Sequence, residues 1–187
     1  MIYRNIIIGL SIVVVALIVW SSSIVYRQKP VVVQHALEQP DAILEDVTAR
    51  MMNKEGKLTM KVVTPKMVHY AQDNTTYFTQ PLVTLYRQSP EPWQISSTYA
   101  KAIQGIERIE FWENVVVHHP KDSANPMTLI KTPSLTVLIN QQLAETNDKI
   151  TLIQPNLVIN AVGMNADMNT GEIKLLSEAR GEYVPSS

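Results

Sequence analysis

The sequence predicts an all-β domain preceded by a single N-terminal transmembrane helix. Three observations predict it. An uncharged apolar run lies near the N-terminus. Short stretches of alternating apolar and polar residues follow it. Prolines recur too often beyond residue 60 for long helices. The 187 residues suit one domain with an appendage. With 45% hydrophobic and 18% charged residues, the chain can bury a core and is too apolar for a disordered tail.

The apolar run is Asn5 to Tyr26, 22 residues without a charge. As a helix it reaches ~33 Å, enough to cross a hydrocarbon core. Trp20 and Tyr26 fall where an interfacial aromatic belt would lie. A cleaved export signal would share the basic start at Arg4 and the small residues Ser21-Ser22-Ser23. The run is long for such a signal and continues through Ile24-Val25-Tyr26, which favours an uncleaved anchor. The few flanking charges do not fix its orientation; the long C-terminal part reads as exported. The expected organisation is an anchor with a short cytoplasmic start over 1–27, a linker over 28–41 and a β domain over 42–187.

Alternation marks the strands. Leu58, Met60 and Val62 alternate with Thr59 and Lys61; Val83 and Leu85 flank Thr84; Ile109 and Phe111 flank Glu110. Leu135, Val137 and Ile139 share a parity, as do Leu157, Ile159 and Ala161, and Ile173 and Leu175. Turn residues separate the runs, among them Asn53-Lys54-Glu55-Gly56, Gln72-Asp73-Asn74 and Asn169-Thr170-Gly171. A helical alternative survives only around Ser97–Gln104. Gly163 to Asp167 reads as a turn. A faint repeat pairs Leu129–Leu135 with Leu152–Leu157, each with an internal proline.

Composition excludes several functions. Sixteen Lys and Arg against 17 Asp and Glu leave a net charge of −1, with no basic excess to draw nucleic acid. The absence of Cys excludes disulfides, thiolate metal sites and a Cys nucleophile. None of the six Gly forms a phosphate-binding loop. The four His are His35, His69, His118 and His119; the adjacent pair points to opposite faces of a strand, so these read as solvated or turn histidines, not metal ligands. Glu107, Glu110 and Glu113 read as a solvated strand face. No catalytic residue, metal or cofactor is expected, and the chain is expected not to be an enzyme.

Specific runs point further. They are Tyr77-Phe78-Thr79-Gln80-Pro81, Trp93-Gln94-Ile95-Ser96-Ser97, Ala100-Lys101-Ala102, Ile109 to Val117, Thr128 to Thr132 and Gly163-Met164-Asn165-Ala166-Asp167. In this order, after an anchor, they resemble the LptC family of lipopolysaccharide export proteins, over about Ala42 to Tyr183. The resemblance implies an open twisted β-jellyroll of about fifteen strands in the periplasm, held by a single-pass anchor in the inner membrane of a Gram-negative cell. It implies lipopolysaccharide as ligand. The implied partners are the ABC exporter permease subunits LptF and LptG and the soluble periplasmic bridge protein LptA. Two positions depart from the family pattern: Glu113 stands where Gly is frequent, and Ile153-Gln154-Pro155 stand where a Gly is common.

A lipid carrier must hide acyl chains, whose exposure at ~25 cal/mol per Å² would cost on the order of tens of kcal/mol. The candidate lumen-facing residues are Phe78, Val83, Leu85, Ile109, Phe111, Leu135, Val137, Ile139, Leu157, Ile159, Ile173, Leu175 and Tyr183. Alternation alone does not separate a lined groove from the filled core of a closed sandwich; the resemblance favours the groove. An open roll also leaves two strand edges for partners. The candidates are Ala42, Leu44 and Val47 at the N-terminal edge, facing the transporter, and Glu172, Lys174 and Leu176 at the C-terminal edge, facing the bridge protein. The alternative function is an anchored scaffold that binds partners by strand addition and carries no lipid.

Overall fold

The alternating stretches form one continuous antiparallel sheet. The computed structural model describes residues 39–87, 91–123 and 125–183. The apolar run at Asn5–Tyr26, most of the linker, His35 and Pro185 lie outside them. Eleven strands are described: β1 Ala42–Met52, β2 Leu58–Tyr70, β3 Thr75–Thr79, β4 Leu82–Leu85, β5 Trp93–Ser96, β6 Tyr99–Ile103, β7 Arg108–His119, β8 Thr128–Leu138, β9 Leu143–Gln154, β10 Leu157–Asp167 and β11 Ile173–Tyr183. The number is lower than the resemblance implies because most strands run unbroken through a bend; β7 alone spans 12 residues. The window 97–104 holds β6, not a helix. Gly163 to Ala166 lie inside β10, and a turn begins only after Asp167.

The sheet is a ribbon of rows. β1 pairs with the full length of β2 along one edge. The other edge of β2 takes β4 against Met60–Val63 and β3 against Lys66–Tyr70. β5 pairs with β4 and β6 with β3, and both then pair with one edge of β7. From β7 the order runs simply through β8, β9, β10 and β11. The rows are therefore β1, β2, β3 with β4, β5 with β6, β7, β8, β9, β10 and β11, all antiparallel to their neighbours. Among the described residues β1 pairs only with β2, and β11 only with β10.

Each row bends near its middle, and the bends line up. Asp46, Gln80, Glu113, Asn114, Gly163 and Glu178 adopt positive φ there. Register shifts fall at the same place, between Trp112 and Val115, Lys131 and Thr136, and Val162 and Met164. Such bulges bend a strand while keeping its ladder. Buried threonines hold the row: Thr64 Oγ1 donates to Lys66 O at 2.9 Å and Thr79 O at 2.6 Å, and Thr132 Oγ1 donates to Ser134 O at 3.1 Å. Ser134 Oγ donates to Asp148 Oδ2 at 2.6 Å, joining β8 to β9. The backbone continues the line, with Gln80 N donating to Thr98 O and Thr98 N to Glu113 O.

This places the repeat differently. Pro133 sits in the bend of β8, whereas Pro155 sits in the two-residue turn between β9 and β10, where Asn156 takes φ 65°. Their local environments differ, so Leu129–Leu135 and Leu152–Leu157 are not equivalent. The structural counterpart of Thr132-Pro133-Ser134 is Thr64-Pro65-Lys66 in β2, with the same hydroxyl-to-carbonyl bond. Proline suits these positions because the bent backbone releases a ladder donor.

The bends fold the ribbon into two facing halves. Between them lies one apolar core, containing Leu85, Ile95, Phe111, Ile130, Leu135 and Ile150, each at most 2% exposed.

Candidate functional site

The interior between the halves is the site to examine. One end of it, beneath β1, is not filled. A cavity of about 160 Å³ is lined by Val47, Ala49 and Met51 of β1, Met60, Val62 and Met67 of β2, Phe78, Val83, Ala100, Ala102, Ile106 and Ile109, with Thr76 and Gly105. Both halves contribute, since Met60, Val62 and Val83 lie on one side of the line of bends and Met67, Phe78 and Ala100 on the other. The void arises because Ala100 and Ala102, fully buried, end at Cβ where larger side chains would meet the opposite half. No lining residue carries a charge. Such a surface takes an apolar guest. An apolar cavity of about 150 Å³ suits a benzene-sized guest.

Of the sequence-derived candidates, Val83, Leu85, Ile109, Phe111, Leu135 and Val137 are buried. Phe78, Ile139, Ile159, Ile173 and Leu175 are half-buried and pack on that core. The structure brings Phe78, Val83 and Ile109 together at the cavity. Leu157 is half-buried beside the β9–β10 turn. Tyr183 stands opposite Leu157 at the end of the edge strand and is 69% exposed, so it lines no enclosed space. The methionine wall and the two alanines are missing from the sequence-derived set. Ala100 and Ala102 do share a period-two face, which was the available signal.

The edge residues are also placed. Val47 of β1 lines the cavity, whereas Leu44, opposite Met67, does not. Ala42 begins that strand. Ile43 and Leu44 are exposed. Lys174 and Leu176 belong to β11; Glu172 precedes it and accepts from Asp167 N. Among the described residues, the outer backbone of both edge strands has no strand partner.

No titratable side chain lines the cavity, though His69 bonds to Thr76, which does. His69 Nδ1 is 2.9 Å from Thr76 Oγ1, and its Nε2 is 3.9 Å from Asp41. His119 is not solvated: it is 1% exposed, lies against Trp93 with ring centroids 4.5 Å apart, and stands 3.6 Å from Asp122 Oδ2. The reason is its parity in β7, which continues the inward series Val115 and Val117; His118 faces the other way. Glu110 holds Lys101 at 2.8 Å and Arg108 at 2.7 Å on the outer face. Burial pushes the Arg87 guanidinium pKa down. Among the described residues no group of His, Asp and Glu suits a metal.

Comparison with known proteins decides the family. Residues 10–184 match the family described as lipopolysaccharide-assembly, LptC-related. The chain belongs to the LptC family. That membership ties it to lipopolysaccharide transport. The fold of this LptC-family chain is similar to the crystal structure of LptH from Pseudomonas aeruginosa, the LptA homologous periplasmic component of the lipopolysaccharide transport device. The TM-score is 0.55 at 8% identity, over 67% of this chain and 95% of that one. At this identity the likeness concerns the fold alone, a β-jellyroll. No curated protein matches.

Proposed function

We propose that the chain is a single-pass inner-membrane protein whose periplasmic β-jellyroll carries lipopolysaccharide by its acyl chains. Residues 1–27 form the anchor, 28–41 the linker and 42–187 the periplasmic domain. The roll accepts lipid from the LptF and LptG permease subunits of an ABC exporter at the β1 edge. It passes lipid to the LptA bridge protein at the β11 edge. It works as a carrier and not as an enzyme.

The observation that carries this reading is the uncharged cavity beneath β1, placed at the edge assigned to the donor. Inward residues Phe78, Val83 and Ile109 bind the first acyl segment; Phe111, Leu135, Val137, Ile139, Leu157, Ile159, Ile173 and Leu175 continue the path. The test is a photo-crosslinking residue at Phe78 of the full chain, expressed in a Gram-negative cell. Capture of lipopolysaccharide is expected. A folded protein that captures none at Phe78 would sink the carrier reading.

The filled middle of the interior favours a second reading, the anchored scaffold. There the roll joins partners through β1 and β11 and its interior is an ordinary core. That scaffold keeps partner binding without lipid capture.

A further inference from the structure

The bends form one long side of the roll. Strand ends from both halves form the other. Residues 120–123 and 125–127, between β7 and β8, lie at the rim of one half, beside His119 and Thr128. The turn 168–172 joins β10 to β11 at the rim of the other, beside Ala166 and Ile173. These rims meet. Asn125 lies on Gly171 so closely that a Cβ there would stand 2.9 Å from Asn125 Oδ1 and 3.4 Å from its Cγ.

Both sides of the contact are held. Asn125 N donates to Asp122 Oδ1 at 2.6 Å, and Asp122 N donates to Asn125 O at 3.0 Å. Asp122 is buried beside His119. Opposite, Gly171 N donates to Asp167 O at 2.9 Å, and Asp167 Oδ1 accepts from Asn169 N and Thr170 N.

We infer that the Asn125–Gly171 contact is a strap across the side opposite the bends, and that it must part before an acyl chain passes from the β1 cavity toward the β11 end of the roll. The inference rests on the carrier reading and concerns how that site is regulated. Beyond the cavity the interior is closed: Ile130, Leu135, Ile150 and Met164 are each at most 2% exposed. A packed interior has no slack to thread a chain, so the halves must separate. A ribbon bent in one row separates by turning about that row. The opposite rims then move furthest, and Asn125–Gly171 is one place where they touch.

The chain has no Cys, so the double substitution Asn125→Cys, Gly171→Cys introduces one defined crosslink. A Cβ at 171 would stand 3.4 Å from Asn125 Cγ, although Gly171 holds φ 75°, so Gly171→Ala serves as the control for strain at that position. Photo-crosslinkers at Phe78 and, separately, at Ile159 report lipopolysaccharide in the full chain in cells. With the disulfide formed, capture at Phe78 persists and capture at Ile159 is lost, returning on reduction. The single variant Asn125→Gly frees the strap and raises capture at Ile159 alone. Equal capture at Ile159 in oxidised and reduced protein overturns the strap and leaves the carrier reading standing. A disulfide that fails to form under oxidant, when Gly171→Ala folds as the wild type does, overturns the contact itself. No capture at either position in the reduced protein overturns the carrier reading, and the strap with it.

Discussion

Leu176 of the edge strand rests on Gly163 of its neighbour: a Cβ at Gly163 would stand 2.8 Å from Leu176 Cδ1 and 3.1 Å from its Cβ. Gly163 also holds φ 78° at the bend of β10. Both facts demand glycine, one for space and one for conformation. Gly163→Ala is expected to lower unfolding stability by about 1–3 kcal/mol through overpacking and strain. Denaturant unfolding of the full chain measures it. Limited proteolysis should then cut within β11 first, and an unchanged cleavage pattern would contradict the assignment.

The cavity beneath β1 makes a prediction in the opposite direction. Ala102 is fully buried and lines it. Ala102→Val fills part of the void, with a gain of about 1 kcal/mol from two buried carbons. The thermal midpoint should rise while lipopolysaccharide capture at Phe78 falls. A rise without loss of capture would mean that the void is not where lipid lodges.

If β11 is the docking edge, partner binding there should be separable from folding. Arg180 is an exposed residue of β11. Arg180→Pro removes a backbone donor from that strand, whereas Arg180→Ala keeps it. The proline variant should bind the LptA bridge protein more weakly, with the alanine variant near wild type. If both bind alike while both stay folded, the edge is not the docking strand.

Legibility in the sequence differed by feature. Strand stretches such as Leu135–Val137 and Leu157–Ala161 announce themselves because period-two burial is a local pattern, although Ile139 of the first series falls in the turn after β8. The bends do not. Gln80, Glu113 and Glu178 adopt positive φ with no turn chemistry in their side chains. Glu113 keeps the conformation for which glycine is frequent in the family, so that departure altered the residue and not the bend. The faint proline repeat misled because Pro133 and Pro155 share neighbours in sequence but not in the ladder. At the site, the inward face was readable for Phe78, Val83 and Ile109. The void was not, since it depends on Ala100 and Ala102 meeting methionines from the opposite half, a contact made only once the ribbon folds over.

Acid should loosen the β10–β11 turn. The Thr170 N–H, then the Asn169 N–H, hold the Asp167 carboxyl below the usual carboxylate range, against a smaller opposing push from desolvation. Its folded pKa therefore lies below its unfolded one. The stabilisation is complete above the ordinary carboxyl value and is lost as pH falls through the lowered folded value. Stability measured against pH should decline in that acid window for wild type and less for Asp167→Asn. Identical slopes would remove Asp167 from the account.

The row count has a consequence for assembly. The nine antiparallel rows among the described residues are an odd number, so β1 and β11 run in the same direction. A neighbour that continues the alternation must oppose both. A second copy stacked head to tail, with its β1 against this β11 and its bends in line, would instead meet it in parallel, with slanted and somewhat weaker bonds. Strand parity thus sets a polarity rule: identical modules join through a parallel seam, while a module with an even number of rows can extend the sheet without one.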